Sequence, residues 1–201
     1  MEYFIIITIV FSALYCGHRY LYKITYSDPK IDIEMIPWEA QGFNVRSRVR
    51  DDQWRKICTV IHKQNSKRGQ YRCQQCGING IMQGFRHPVE CHEIWNFDEV
   101  NHIQQLVGMT SICPLCHKAK HFGLAERSGF GDKVRQHMKK ENEWNDKELN
   151  HYISTSKDIV RNKSGKAYTL DLRYLNKPEF YFLNTIFTSD ERINCNAEIK
   201  Y

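Results

Sequence analysis

The sequence of 201 residues contains no internal repeat and no low-complexity segment, so neither a solenoid nor a compositionally biased unfolded chain is expected. It lacks the length for two full domains and suits one ordinary hydrophobic core with small appendages. A disulfide framework is missing too. Of eight cysteines, four form two tight pairs, Cys73/Cys76 and Cys113/Cys116, while Cys16, Cys58, Cys91 and Cys195 are scattered. Neither pair sits in the βαβ pattern that a redox dithiol of the thioredoxin sort would need.

A complete membrane-spanning run is also lacking in the strict sense. The apolar stretch from Tyr3 to Cys16 is shorter than the ~20 residues that cross a bilayer as a helix, although Tyr20, Leu21 and Tyr22 extend it. Glu2 stands where a secretory signal carries a basic residue, and Tyr15 stands where it carries a small one, which argues against a signal peptide. Residues 3–22 therefore read as a membrane anchor within an N-terminal segment, 1–24. Arg19 and Lys23 would keep the remainder in the cytoplasm, at the inner face of the membrane. A buried strand, or an over-extended start of the reading frame, is the alternative.

What the chain does contain is a modest positive balance, +6 in formal charge, which favours a polyanionic partner without deciding one. Residues 25–50 carry Pro29, Pro37 and Gly42 without sustained periodicity and read as a connector. Arg46, Arg48 and Arg50 alternate with smaller residues at its end, which suits an extended segment presenting three guanidinium groups on one side. From Asp52 to about Lys67, Trp54, Ile57, Val60 and Ile61 recur at helical steps. Asp51 or Asp52 is available as N-cap there, and Gly69 ends the pattern. The polar face of that helix, with Lys63, Lys67 and Arg68, is basic. Strands are expected at Val89–Trp95 and Val107–Ile112, then a helix from Cys116 to Phe122 closed by Gly123. Helices near 132–141 and 146–161 and a strand at Ala167–Leu175 complete an extension over 131–201. The fold class is α+β.

Two residues separate the thiols of each cysteine pair, which lets both sulfurs converge on one ion, and two such pairs complete a four-sulfur zinc site. Directly after the second pair come His117 and His121. Four residues apart on a helix, two imidazoles share one face and can bind a single cation; the alternative is that one of them enters the zinc shell. His92, flanked by Glu90 and Glu93 at the first strand, gains a purpose beside such a cation, because phosphodiester hydrolysis needs a base and a charge-neutralising ion. Glu90 by itself reads as strand surface, and His87 and His102 read as surface or loop residues.

With its two CxxC pairs, the Cys-x-x-Cys-His-x-x-x-His run ending at His121 and the strand histidine His92, the segment over roughly residues 50–125 resembles the HNH endonuclease family. The resemblance implies a ββα-metal finger over 51–130, clamped by a structural zinc on Cys73, Cys76, Cys113 and Cys116. It also implies one divalent catalytic ion, Mg²⁺ or Mn²⁺, on His117 and His121, and cleavage of DNA. Two registers are open. In the first, His92 is the general base, Glu93 helps to bind or orient the ion, and Cys91 stands where a ligand is usual. In the second, His92 binds metal and Glu93 faces the water. The family's middle Asn is replaced by Gly108. Lys118 and Lys120, with Arg46, Arg48, Arg50, Lys63, Lys67 and Arg68, are the expected phosphate contacts, which position a duplex without reading its sequence. A zinc-stabilised binding or membrane-tethered interaction protein without catalysis is the rival reading.

Overall fold

The computed structural model describes residues 28–67 and 69–189. The expected membrane anchor, residues 3–22, and Arg68 of the expected basic surface lie outside the described residues. Among the described residues no helix is long and apolar enough to cross a membrane. Two units are distinguished, Met1–Lys30 and Ile31–Tyr201, and all the helices and strands below belong to the second.

The architecture is mixed α and β. Helix α1 (Asp51–Gln64) forms because Trp54, Ile57 and Ile61 line one side while Asp51 and Asp52 complement the dipole in its first turn. The N-cap is Arg50, not an aspartate, and its amide donates to Gln53 Oε1 at 3.0 Å. The helix stops before Lys67 because Asn65 turns its side-chain amide back onto the Ile61 carbonyl at 2.8 Å.

Strands β1 (Glu90–Asp98) and β2 (Ile103–Ile112) make an antiparallel hairpin whose register runs from Glu90 opposite Ile112 to Asp98 opposite Ile103. Both strands are longer than expected, since Asp98 ties the hairpin turn by accepting the amides of Val100 and Asn101. A bulge between Ile94 and Trp95 leaves Val107 without a partner. Strand β3 (Thr169–Asp171) adds in parallel to β2, giving the order β1-β2-β3. The strand expected over Ala167–Leu175 is cut short because the Asp171 carboxylate accepts both the amide and the guanidinium of Arg173, which bends the chain into a 3-10 turn.

Helix α2 (Pro114–Lys120) starts earlier than expected, with Cys113 as its N-cap and Pro114 in the first turn. It ends at His121, where the backbone leaves the helical region, and α3 (Phe122–Arg127) follows immediately, so Gly123 lies inside a helix instead of closing one. Helices α4 (Gly131–Asn142) and α5 (Asp146–Lys163) follow, the latter opened by a capping box between Asn145 and Glu148. The extended arginine segment is also corrected. Val45–Ser47 is a 3-10 turn, because the Asn44 side chain accepts the Ser47 amide at 2.9 Å, so Arg46, Arg48 and Arg50 do not share a side through strand alternation.

Two cores result. The first gathers Cys73, Cys113, Cys116, Ala119, Phe122, Val134, Met138 and Leu149 around the helices. The second packs α1 and the segment 172–183, through Ile57, Ile61, Leu172, Phe180 and Leu183, against Cys91, Leu106 and Met109 of the hairpin. Gly80 joins the knuckle to α2: a Cβ there would stand 2.5 Å from both the His87 carbonyl oxygen and Pro114 Cδ. Gly80→Ala is expected to destabilise the protein by about 1–3 kcal/mol through overpacking, read as a lower urea midpoint at unchanged slope; an unchanged midpoint would refute the close approach.

Candidate metal centres

The first centre begins in a knuckle turn. The Cys73 amide donates to the Ile78 carbonyl, the Gly77 amide donates back to the Cys73 carbonyl, and Gly77 takes a left-handed φ of 77° that favours glycine. The Gln74 amide docks this turn on the Ser111 carbonyl near the end of β2, where the second pair begins. The four sulfurs of Cys73, Cys76, Cys113 and Cys116 consequently lie within 4.8 Å of one another and are positioned to hold a metal ion. An all-thiolate, four-sulfur donor set fits zinc. Four thiolates around Zn²⁺ leave a net double negative charge, and two side chains near the sulfurs can disperse it. Gln83 Nε2 donates to Cys113 Sγ at 3.1 Å, and His137 Nε2 lies 3.2 Å from Cys116 Sγ. Neither residue was foreseen; the only signal was that His137 falls three residues after Val134 on the apolar face of α4.

The second centre is separate from the thiols. His92 projects from β1 opposite Thr110, His117 lies on α2 and His121 at its end, and one nitrogen from each ring lies within 4.8 Å of the others. Ring centroids are 4.9 to 5.4 Å apart. The histidine pair thus groups with His92 and not with the zinc thiols. Burial pushes His92 down to about 2 and His121 down to about 4, with His117 adding to both shifts, so these two rings are neutral at physiological pH and keep lone pairs for a cation.

Glu90 is part of this centre, not mere strand surface. Its carboxylate meets His117 Nδ1 and, at 2.6 Å, His87 Nε2. Burial pushes the Glu90 carboxyl up, yet the hydrogen bonds from His117 and His87 outweigh this and hold it at about 2. With Nδ1 engaged, His117 has Nε2 left as its metal donor. Glu34, from the connector, was also missed. Its buried Oε2 stands 3.6 Å from His92 Nε2, too far for a hydrogen bond, and since His92 is neutral the two do not form an ion pair. Burial pushes the Glu34 carboxyl up to about 8.

Glu93 lies elsewhere. Neighbouring strand residues point to opposite faces, and the Glu93 carboxylate accepts the Val45 amide at 2.9 Å, the Arg46 amide and the Trp95 side chain. It fastens the 3-10 turn to the sheet. Cys91 shares that face and packs in the second core beside Cys58.

A cleft of about 730 Å³ opens beside the three histidines, lined in part by Trp38, Phe43, Arg46, Lys120, Arg127 and Arg161. Lys120 Nζ also pairs with Asp32 at 2.5 Å. The other expected phosphate contacts are dispersed. Lys118 Nζ sits 4.3 Å over the Phe130 ring, Arg50 pairs with Asp52, and Arg48, Lys63 and Lys67 are not in the cleft lining. Compared with protein-family models, with curated proteins and with solved structures, the chain matches none.

Proposed function

We propose that the chain is a metal-dependent endonuclease of the HNH type, hydrolysing phosphodiester bonds of DNA with little sequence preference. The observation that carries this reading is the convergence of His92, His117 and His121 on a hairpin-helix unit whose helix starts at a four-thiolate zinc site. The arrangement supports only part of the second register, His92 as a donor with the histidine pair, and supports neither register's role for Glu93, which is occupied by backbone amides, while Cys91 is buried away from the rings. A divalent cation held there supplies a Lewis acid that makes water more acidic and neutralises charge on the phosphate and on the departing oxygen.

The protein's own groups do the rest. Glu90 fixes the tautomer and orientation of His117 by engaging Nδ1. Arg46, Lys120 and Arg127, at the cleft, hold the phosphate backbone without contacting base edges, so affinity should fall steeply with salt. The thiolate donors fit a reducing compartment, the cytoplasm.

Three imidazole donors are softer than the oxygen set Mg²⁺ prefers, so plasmid nicking is expected to be stronger with Mn²⁺ or Ni²⁺ than with Mg²⁺, by roughly tenfold or more, and to stop with chelator. Agarose gels of supercoiled plasmid read this directly, and nicking that persists under chelation would end the nuclease reading. Gly108 favours a second reading, a binding module without catalysis. It stands opposite Ile94 with no side chain to brace the hairpin, where the family carries Asn. On that reading the protein retards plasmid in a gel and does not nick it, whichever metal is supplied.

A further inference from the structure

The cleft beside the three histidines is lined by two kinds of side chain that a cation centre alone does not require. The first is aromatic. Trp38 lines the cleft and is 59% exposed, although few side chains are larger or more apolar. Its backbone is nevertheless held firmly: the Trp38 amide donates to Ser164 Oγ at the end of α5 at 3.0 Å, and the adjoining Glu39 carboxylate accepts the Gly165 amide at 2.8 Å. Phe43 lines the same cleft, and its carbonyl accepts Gln104 Nε2 of β2 at 2.9 Å. The second kind is cationic. Five cationic side chains line the cleft against two carboxyls, Glu34 and Glu93, and Glu93 is taken up by backbone amides. Lys157 and Arg161 stand one helical turn apart on α5, and Ser164, which holds the Trp38 turn, follows on the same side. Lys120 pairs with Asp32 and Arg161 with Asp158, whereas Arg46, Arg127 and Lys157 have no ion pair among the described residues.

Phosphates and base faces recur along every nucleic-acid strand, and a lining that joins cations to an exposed indole complements both. In a duplex the base faces are covered by their neighbours in the stack. An aromatic side chain therefore gains a base only from an unpaired strand, or by drawing a nucleotide out of the helix at a cost in lost stacking. The cleft volume of about 730 Å³ falls within the ~300–1,000 Å³ of small-ligand pockets, the scale of a nucleotide and not of a duplex. We propose that the substrate strand enters this cleft unpaired, with a base stacked on Trp38, phosphates on Lys157 and Arg161, and the bond to be cut at the histidines. The inference rests on the nuclease reading and names its substrate as single-stranded DNA. Every base has a ring face to stack, so such a cleft asks for an open strand without asking for a sequence.

The test is fluorescence anisotropy of labelled oligonucleotides with the full-length, zinc-loaded protein and no added divalent ion, so that binding is read without cleavage. The probes are a DNA strand of about twelve nucleotides, the same strand in a perfect duplex, and its RNA counterpart. The DNA strand is expected to bind at least about tenfold more tightly than the duplex. Trp38→Ala is expected to weaken binding of the strand by about fivefold to a hundredfold, and Trp38→Phe, which keeps a ring, to restore most of it. The double variant Lys157→Gln, Arg161→Gln is expected to weaken binding and to flatten its dependence on salt. Because Trp38 is exposed, these comparisons are made at equal zinc content and equal melting temperature. Equal affinity for strand and duplex, or a Trp38→Ala protein that binds the strand like wild type, would overturn the stacking cleft and leave the histidine centre as read. Tighter binding of the RNA than of the DNA strand would overturn the choice of DNA. A protein that binds none of the three would overturn the nuclease reading itself.

Discussion

Cys113→Ser is expected to yield a chain that purifies with little or no zinc and has lost the packing of its first core. Cys113 is completely buried, N-caps α2 by accepting the Cys116 amide, and receives the Gln83 side chain. A hydroxyl is a poor fourth ligand for Zn²⁺ beside three thiolates. Binding of structural zinc to small domains is worth roughly 10–16 kcal/mol, as large as the whole stability of a typical domain, so losing most of it cannot be absorbed. The damage should be uneven. Ala119, Phe122, Val134 and Met138 pack around the cysteines, whereas Ile57, Ile61, Leu172 and Phe180 form a core without a zinc ligand. Amide exchange in α2, α3 and α4 is therefore expected to accelerate far more than in α1, with a melting temperature lower by about ten degrees or more. A variant with one equivalent of zinc and an unchanged melting curve would show that the four sulfurs are not the structural clamp.

The cysteine pairs and α1 were legible because their signals are local: two thiols across a short turn, and Trp54, Ile57 and Ile61 at helical steps. The groups around the donors were not, because folding brings them from afar. Glu34 reaches His92 from the connector, Glu90 reaches His117 across the hairpin, and His137 reaches Cys116 from α4. Nothing in the sequence near any of the three announces its partner. Other discrepancies come from local rules that competed. Arg46 to Arg50 alternate like a strand, but Asn44 is a strong cap and pulls the chain into a helical turn. The spacing of His117 and His121 was read on one continuous helix; His121 in fact ends α2, and the pair stays together because the His121 amide still bonds to the His117 carbonyl. Glu93 was within reach of sequence reasoning. Strand alternation places residues 92 and 93 on opposite faces, so a strand histidine aimed at the helix implies that the next carboxylate is not.

On the proposed nuclease reading, His117→Ala is expected to lower the rate of plasmid cleavage by about a thousandfold or more, a loss of roughly 4 kcal/mol of transition-state stabilisation, while leaving fold and zinc intact. Its ring is about a quarter exposed, so truncation opens no core cavity, and it lies outside the group of four sulfurs. What it removes is one of the three imidazoles of the proposed cation site, together with the partner of Glu90. Two neutral rings left behind bind a divalent ion weakly, and the uncompensated Glu90 carboxylate then meets only His87. Glu90→Gln separates these effects: it keeps all three rings but removes the carboxylate charge that faces His117 Nδ1, and a fall of about tenfold to a hundredfold in metal affinity and rate is expected. The order His117→Ala below Glu90→Gln below wild type, at equal zinc content and equal melting temperature, is the signature of a cation centre oriented by a carboxylate. Equal cleavage by all three proteins would place the activity outside the histidine cluster.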